Sequence, residues 1–143
     1  MKQIVRCNAN DYPALVGIWE RSVRATHDFL DEAAVQEIKT CLITDYFPFV
    51  DLYSLILNNN CIAGFIGLCD DKIEMLFIDD CHRGCGYGSA LIDFAKTKDV
   101  SKVDVNEQNP SALAFYQAKG FKIIGRDETD DSGRPYPILH LSL

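Results

Sequence analysis

The chain has 143 residues, the size of one domain, so one layered core is expected and a second full domain has no room. Hydrophobic residues at 48% and charged ones at 24% exclude a disordered chain, and apolar runs such as Ile62 to Cys69 stop well short of the roughly 18 residues a membrane span needs. The net charge of −7 is the wrong sign for gripping a nucleic-acid backbone, so neither nucleic acid nor membrane is an expected partner, whereas a cationic amine is mildly favoured.

Met1 to Arg6 runs into polar Asn8 and Asn10 without the apolar stretch of a secretory signal, which makes the cytoplasm the expected location. Gln3 to Cys7 reads as an opening strand. From Asn10, the residues Tyr12, Leu15, Val16, Trp19 and Val23 recur at three-and-four spacing, placing one apolar stripe on a helix and leaving Glu20, Arg21 and Arg24 off it. Asp31, a good capping residue, opens a second short helix through Ile38. Asp51 to Leu57 and Cys61 to Cys69 are β-prone runs joined by Asn58-Asn59-Asn60, and Asp70-Asp71-Lys72 turns the chain into Ile73 to Ile78. Connections this short make the three strands antiparallel, since parallel pairing needs a crossover of about a dozen residues. A helix carrying Ala90, Leu91, Phe94 and Ala95 follows, then a strand marked by Val103 and Val105, then a helix from Pro110 to Lys119 ended by Gly120. Phe121 to Gly125 and Tyr136 to Leu143 form a closing hairpin across Asp130 to Gly133. The order β, α, α, β, β, β, α, β, α, β, β predicts a mixed sheet flanked by helices.

The six cysteines lie mostly among Ile, Leu, Ala and Gly with no CxxC pair, and read as reduced core thiols. Cys81, His82 and Cys85 amount to half a metal site with no second cluster to complete it, so no metal is expected.

The segment from Met75 to Phe94 is a strand, a glycine-dense turn and a helix. Gly84, Gly86 and Gly88 alternate where the helix begins, which lets main-chain amides point outward together at the positive end of the helix dipole. That is a cradle for an anion. Gly88 is followed by Ser89 with no lysine, so the triphosphate loop of ATPases is excluded. A dinucleotide fingerprint fits Gly84 and Gly86, with Asp104 some way on, but has Ser89 in its third glycine place and follows an antiparallel meander instead of a βαβ unit.

Arg83-Gly-Cys-Gly-Tyr-Gly88 resembles the (Arg/Gln)-x-x-Gly-x-(Gly/Ala) signature of the GNAT N-acetyltransferases, and Asn109-Pro-Ser-Ala112-Leu-Ala-Phe-Tyr116-Gln-Ala-Lys-Gly120-Phe121 is similar to that family's second signature. Arg21-Ser-Val, Ala25 to Leu30, Val105 to Asn109 and Gly133 to Pro137 further resemble one bacterial subgroup, and the likeness covers nearly the whole chain. It implies the GNAT acyl-CoA N-acyltransferase fold over residues 1–143, an α+β three-layer arrangement with a mixed, mostly antiparallel sheet flanked by about four helices. The implied activity is transfer of an acetyl group from acetyl-CoA to a primary amine, a protein lysine first, by direct attack in a ternary complex. A small-molecule amine acceptor and a catalytically silent acyl-CoA sensor are the alternatives, and the chain is expected as monomer or homodimer.

The resemblance distributes roles along the sequence. Arg83, Gly84, Cys85, Gly86, Tyr87, Gly88 and Ser89 would hold the pyrophosphate, Leu76, Phe77 and Ile78 the pantetheine arm in the manner of an added strand, and Asn109 and Phe115 further parts of the cofactor. An amide of the same strand would donate to the developing oxyanion. Tyr116 would protonate or hydrogen-bond the leaving thiolate; a phenol near pKa 10 facing a thiol near 8.5 makes full transfer uphill by about 2 kcal/mol. Its other reading is a core aromatic beside Phe115. A lysine amine needs about 4.6 kcal/mol to reach its neutral form at pH 7, so a base should help: Glu74 first, Asp104 second. His27, Phe29 and Tyr136 would line the acceptor pocket. Cys85, at a helix start, could in principle be acylated first, but the resemblance implies direct transfer.

Overall fold

A computed structural model describes residues 2–26 and 30–143. Its strands are β1 (Gln3–Arg6), β2 (Asp51–Ile56), β3 (Ile62–Cys69), β4 (Lys72–Ile78), β5 (Lys102–Asn106), β6 (Lys122–Asp127) and β7 (Ile138–Ser142), and its α-helices are α1 (Tyr12–Thr26), α2 (Glu32–Cys41), α3 (Tyr87–Lys96) and α4 (Pro110–Ala118). The strands form one sheet in the order β1-β2-β3-β4-β5-β7-β6, antiparallel throughout except for β4 beside β5. The element order is the expected one, and the mixed sheet with four α-helices is the three-layer arrangement that buries both faces of its centre.

Two apolar clusters sit on opposite faces. Leu91 and Ile92 of α3 and Tyr116 of α4 pack on Ile66, Ile73, Val103, Val105, Leu139 and Leu141. Leu15, Ile18, Trp19 and Val23 of α1 pack with Val35 and Phe47 against Leu52 and Phe65 on the other side. β3, between them, is buried from Ala63 to Leu68, which explains its uninterrupted apolar run. Burying a large side chain such as Leu15 or Phe65, both 0% exposed, stabilises the fold by about 2 kcal/mol. Gly64 is required there, because a Cβ at that position would meet the Phe77 carbonyl oxygen at 2.7 Å.

Local signals behave as their chemistry dictates. The Asp31 side chain accepts from the Ala34 amide at 2.7 Å and starts α2. The α1 stripe is Leu15, Ile18, Trp19, Ser22 and Val23, with Tyr12 and Val16 only half-buried and Arg21 and Arg24 exposed. Beyond α2 the chain adds a π-helical turn at Leu42–Tyr46 and a 3-10 turn at Phe47–Phe49 that the sequence did not announce; Phe47, 1% exposed, is driven inward against Tyr12 and Phe65, with ring centroids at 5.2 and 5.9 Å. The cysteines correct an expectation. All six are free, but none is a core residue: four are half-buried, and Cys81 and Cys85 are exposed because the turn after β4 lies on the surface. Among the described residues no helix is long and apolar enough to cross a membrane.

Candidate active site

β4 and β5 pair only through Lys72↔Lys102 and Ile73↔Val103 and then part. From Met75 to Ile78, β4 stays paired to β3 on one side while its other edge faces an opening, and Glu74 falls at a register shift between the two strands. A cleft of about 540 Å³ occupies this fork. Its walls include Glu74 and Leu76 to Ile78 of β4, the turn and first residues of α3, and Asn109, Phe115 and Tyr116 of the segment entering and forming α4.

The α3 end is built from main chain. Gly84 and Gly86 have φ of +77° and +83°, values that a residue with a Cβ adopts only with strain. Gly86 is the helix N-cap, and the first helical bond runs from the Ala90 amide to its carbonyl, so the amides of Tyr87, Gly88 and Ser89 are left facing outward with the dipole's positive end. Gly88 brings α3 close to α4: a Cβ there would stand 3.3 Å from the Phe115 ring, a tight contact to which the ring would have to yield. Arg83 and Tyr87 border the cleft; Arg83 is exposed and only loosely paired with Asp80 at 3.4 Å, so its guanidinium is available to an anion. Cys85 is set apart from these neighbours: it does not line the cleft, and its thiol rests 3.8 Å from the Arg83 carbonyl oxygen, because the left-handed glycines on either side turn it to the surface.

Asn109 caps α4, accepting from the Ala112 amide at 3.2 Å with Pro110 in the first helical position, and its buried side chain also borders the cleft. Tyr116 is 7% exposed, edge-on to Phe115 and Phe121 at 5.2 and 5.6 Å, and still reaches the cleft wall. The ring therefore belongs to the core and the residue also borders the cleft, a position compatible with either reading of it. Burial pushes the phenol well above its ordinary pKa of 10, so it is held protonated.

Two carboxylates stand at the fork. Both oxygens of Asp104 are engaged, one by the Lys72 ammonium at 2.7 Å and the other by His140 Nδ1 at 2.7 Å. Glu74 is less encumbered, with Lys72 4.0 Å away. Its partial burial raises its pKa, the Asp104 and Asp131 charges add to the rise, and Lys72 opposes it. With its pKa raised and no close ion pair, Glu74 is suited to accept a proton, whereas both oxygens of Asp104 are already engaged.

Tyr136 does not line the cleft; it sits half-buried on the β6–β7 connection, which is stitched to the turn after β5 by the Glu107 amide on the Pro137 carbonyl at 2.9 Å. His27 and Phe29 lie outside the described residues, although Ser22 and Thr26 of α1 do border the cleft. Sequence reasoning missed three supporting contacts. Arg21 forks onto Asp79 at 2.8 and 2.9 Å, tying α1 to the end of β4 and holding the carboxyl below its usual range. Lys119 reaches Ser89 Oγ at 2.7 Å and Asp93 at 2.8 Å, joining the end of α4 to the start of α3. Lys72 and His140 flank Asp104. Arg21, Ser89 and Lys119 stood in segments already marked by resemblance, but the contacts themselves join residues 26 to 58 apart with no local pattern.

Comparison with known proteins agrees with this geometry. The acetyltransferase (GNAT) domain family matches residues 51–123. Peptidyl-lysine N-acetyltransferase YjaB of Salmonella typhimurium is 40% identical over 142 residues, covering 99% of this chain and 97% of that protein. The solution structure of apo-form YjaB from Escherichia coli superposes with a TM-score of 0.91 at 38% identity, over 99% of this chain and 97% of that one. The PaiA N-acetyltransferase of Thermoplasma acidophilum, in complex with coenzyme A, shares the fold at TM-score 0.75 and 16% identity, over 100% and 99% of the two chains. With two signatures placed on one cleft and a match along nearly its whole length, this chain belongs to the GNAT acetyltransferase family.

Proposed function

We propose that this acetyltransferase moves the acetyl group of acetyl-CoA onto the side-chain amine of a protein lysine by direct attack at the β4–β5 fork. The observation that carries the reading is that one cleft is bordered by an outward-facing amide cradle, a buried neutral phenol and a carboxylate of raised pKa. The lysine acceptor draws further support from the relative of that name and from the acidic balance of the chain.

The amides of Tyr87, Gly88 and Ser89, with Arg83, would take the pyrophosphate, and the free edge of Leu76 to Ile78 would pair with the pantetheine arm. An amide on that edge donates to the acetyl carbonyl oxygen as charge gathers there, a contact worth about 3 kcal/mol. Glu74, directly or through one water, takes a proton from the incoming ammonium, offsetting part of the roughly 4.6 kcal/mol that deprotonation costs at pH 7. Tyr116 donates its hydrogen bond to the sulfur as the thioester C–S bond breaks. Burial makes complete transfer from this phenol costlier than the 2 kcal/mol or so of an ordinary one, so a strong hydrogen bond to the thiolate is its main contribution. The balance is one amide formed, one thiol released and one proton passed to solvent.

The test is release of CoA thiol from acetyl-CoA with lysine peptides, small amines and no acceptor, run beside Tyr116→Phe. Peptide-dependent release that the variant loses supports the reading. Tight acetyl-CoA binding with no acceptor-dependent release in the wild type points instead to a sensor, and release with small amines alone moves the acceptor class.

A further inference from the structure

His140 has no part in the chemistry above, yet it stands at the centre of a polar ladder crossing four neighbouring strands. Lys72 of β4 meets Asp104 of β5 at 2.7 Å, Asp104 meets His140 Nδ1 of β7 at 2.7 Å, and His140 Nε2 meets Asp127 of β6 at 2.8 Å. Lys72, Asp104 and His140 stand on the sheet face opposite the core cluster containing Val103, Val105, Leu139 and Leu141. The ring lies over Gly125, its registered neighbour, with 3.5 Å to the place a Cβ would occupy, and reaches past it to Asp127. Asp104 stands one residue beyond Val103, whose pairing with Ile73 is the last before the fork opens.

This geometry counts protons. A neutral imidazole has one N–H, so with both nitrogens within 2.8 Å of carboxylate oxygens one contact would set lone pair against lone pair. One extra proton is required. Asp104 also accepts from the Lys72 ammonium, and a ring carrying both N–H groups donates to Asp104 and Asp127 at once, so the geometry places the extra proton on the ring. The charged groups facing the ring are Asp104 from β5 and Asp127 from β6; Lys72 and Glu74 on β4 and Asp131 on the β6–β7 connection act through Asp104 and Lys72.

We propose that His140, protonated on both nitrogens, is a positioning residue for acetyl transfer: it clamps Asp104, which holds Lys72 at the mouth of the fork and so sets the surroundings and orientation of Glu74. The proposal rests on the reading of Glu74 as the base. The raised pKa of His140, caused first by its bond to Asp104 and then by that to Asp127, fits a ring charged in the neutral range. A raised folded-state value means that the clamp's contribution to stability is complete below the unfolded value of about 6.5 and is lost as pH climbs through the folded value.

His140→Gln keeps hydrogen-bonding capacity but cannot carry the charge, and His140→Phe removes both. Ring ¹⁵N shifts of the wild type should show an imidazolium at about pH 7; a neutral ring there overturns the proposal. The Tm gap between wild type and His140→Gln should be open at about pH 6 and close toward about pH 9, whereas a pH-independent gap marks a merely structural contact and overturns it. kcat with a lysine peptide should fall about tenfold in His140→Gln at about pH 6.5, with KM for acetyl-CoA unchanged and the deficit shrinking as pH rises. An active wild type that His140→Gln matches at every pH overturns this role alone, while a wild type with no peptide-dependent CoA release overturns the functional reading and this role with it.

Discussion

Where the cleft meets the start of α3 it is built from main-chain amides, released by Gly84 and Gly86 at φ of +77° and +83° and by a helix start. At the fork it is built from side chains: Glu74 and Asp104 border it, with Lys72, His140 and Asp127 behind them, drawn from four strands. A site made of backbone is specified by a few contiguous residues and keeps its shape while its side chains vary. A site made of charged side chains depends on strand order and register, and responds to pH. Binding and turnover should therefore separate under mutation, cradle changes striking affinity for acetyl-CoA and fork changes striking the rate.

Tyr116→Phe should have the largest effect, lowering kcat about 100-fold while leaving the Kd for acetyl-CoA within about twofold, as read by thiol release and titration calorimetry. Equal losses in both would mean that the hydroxyl serves binding and that the two ends are not separable. Gly86→Val places a β-branched residue at φ +83° and should weaken acetyl-CoA binding by about 2 kcal/mol, close to 30-fold, with kcat at saturation little changed. Calorimetry showing native affinity would remove the cradle from the account. Glu74→Gln should cost about tenfold in kcat near neutral pH. Because burial raises the pKa of Glu74 above its ordinary 4.5, the wild-type rate should fall on acidification with a midpoint above that value, and this limb should vanish in the variant. A pH–rate profile unaltered by the substitution would eliminate Glu74 as the base. Asp31→Ala touches neither end; it removes only the cap of α2 and should lower stability by about 1 kcal/mol in a denaturant titration with both kinetic constants intact.

How far the sequence could be read follows the same division. The turn from Arg83 to Ser89 was legible because glycine spacing, strand end and helix start lie side by side. Asn109 was named through its signature, and the structure shows it also as the cap before Pro110. Tyr116 was legible only within its signature, since an aromatic on a helix is ordinarily core, and here it is core and cleft together. Cys85 shared the signature but not the location, for a motif places the backbone while the φ values around it turn the thiol away. The pairs Arg21–Asp79 and Asp104–His140 had no signal, as their members stand 58 and 36 residues apart.

Taken alone, the chain's letters determined the order of the strands and the four α-helices and the glycine turn at the start of α3, but not the turns at Leu42–Tyr46 and Phe47–Phe49, because periodicity, caps and glycine spacing act over a few neighbouring residues. Folding decided how far β4 and β5 part, which of two carboxylates remains unencumbered, and where His140 falls, because each depends on the register of strands distant in the chain. Register is a property of the whole packed sheet: the core residues Val103, Val105, Leu139 and Leu141 choose it on one face, and the charges on the other face meet as a result.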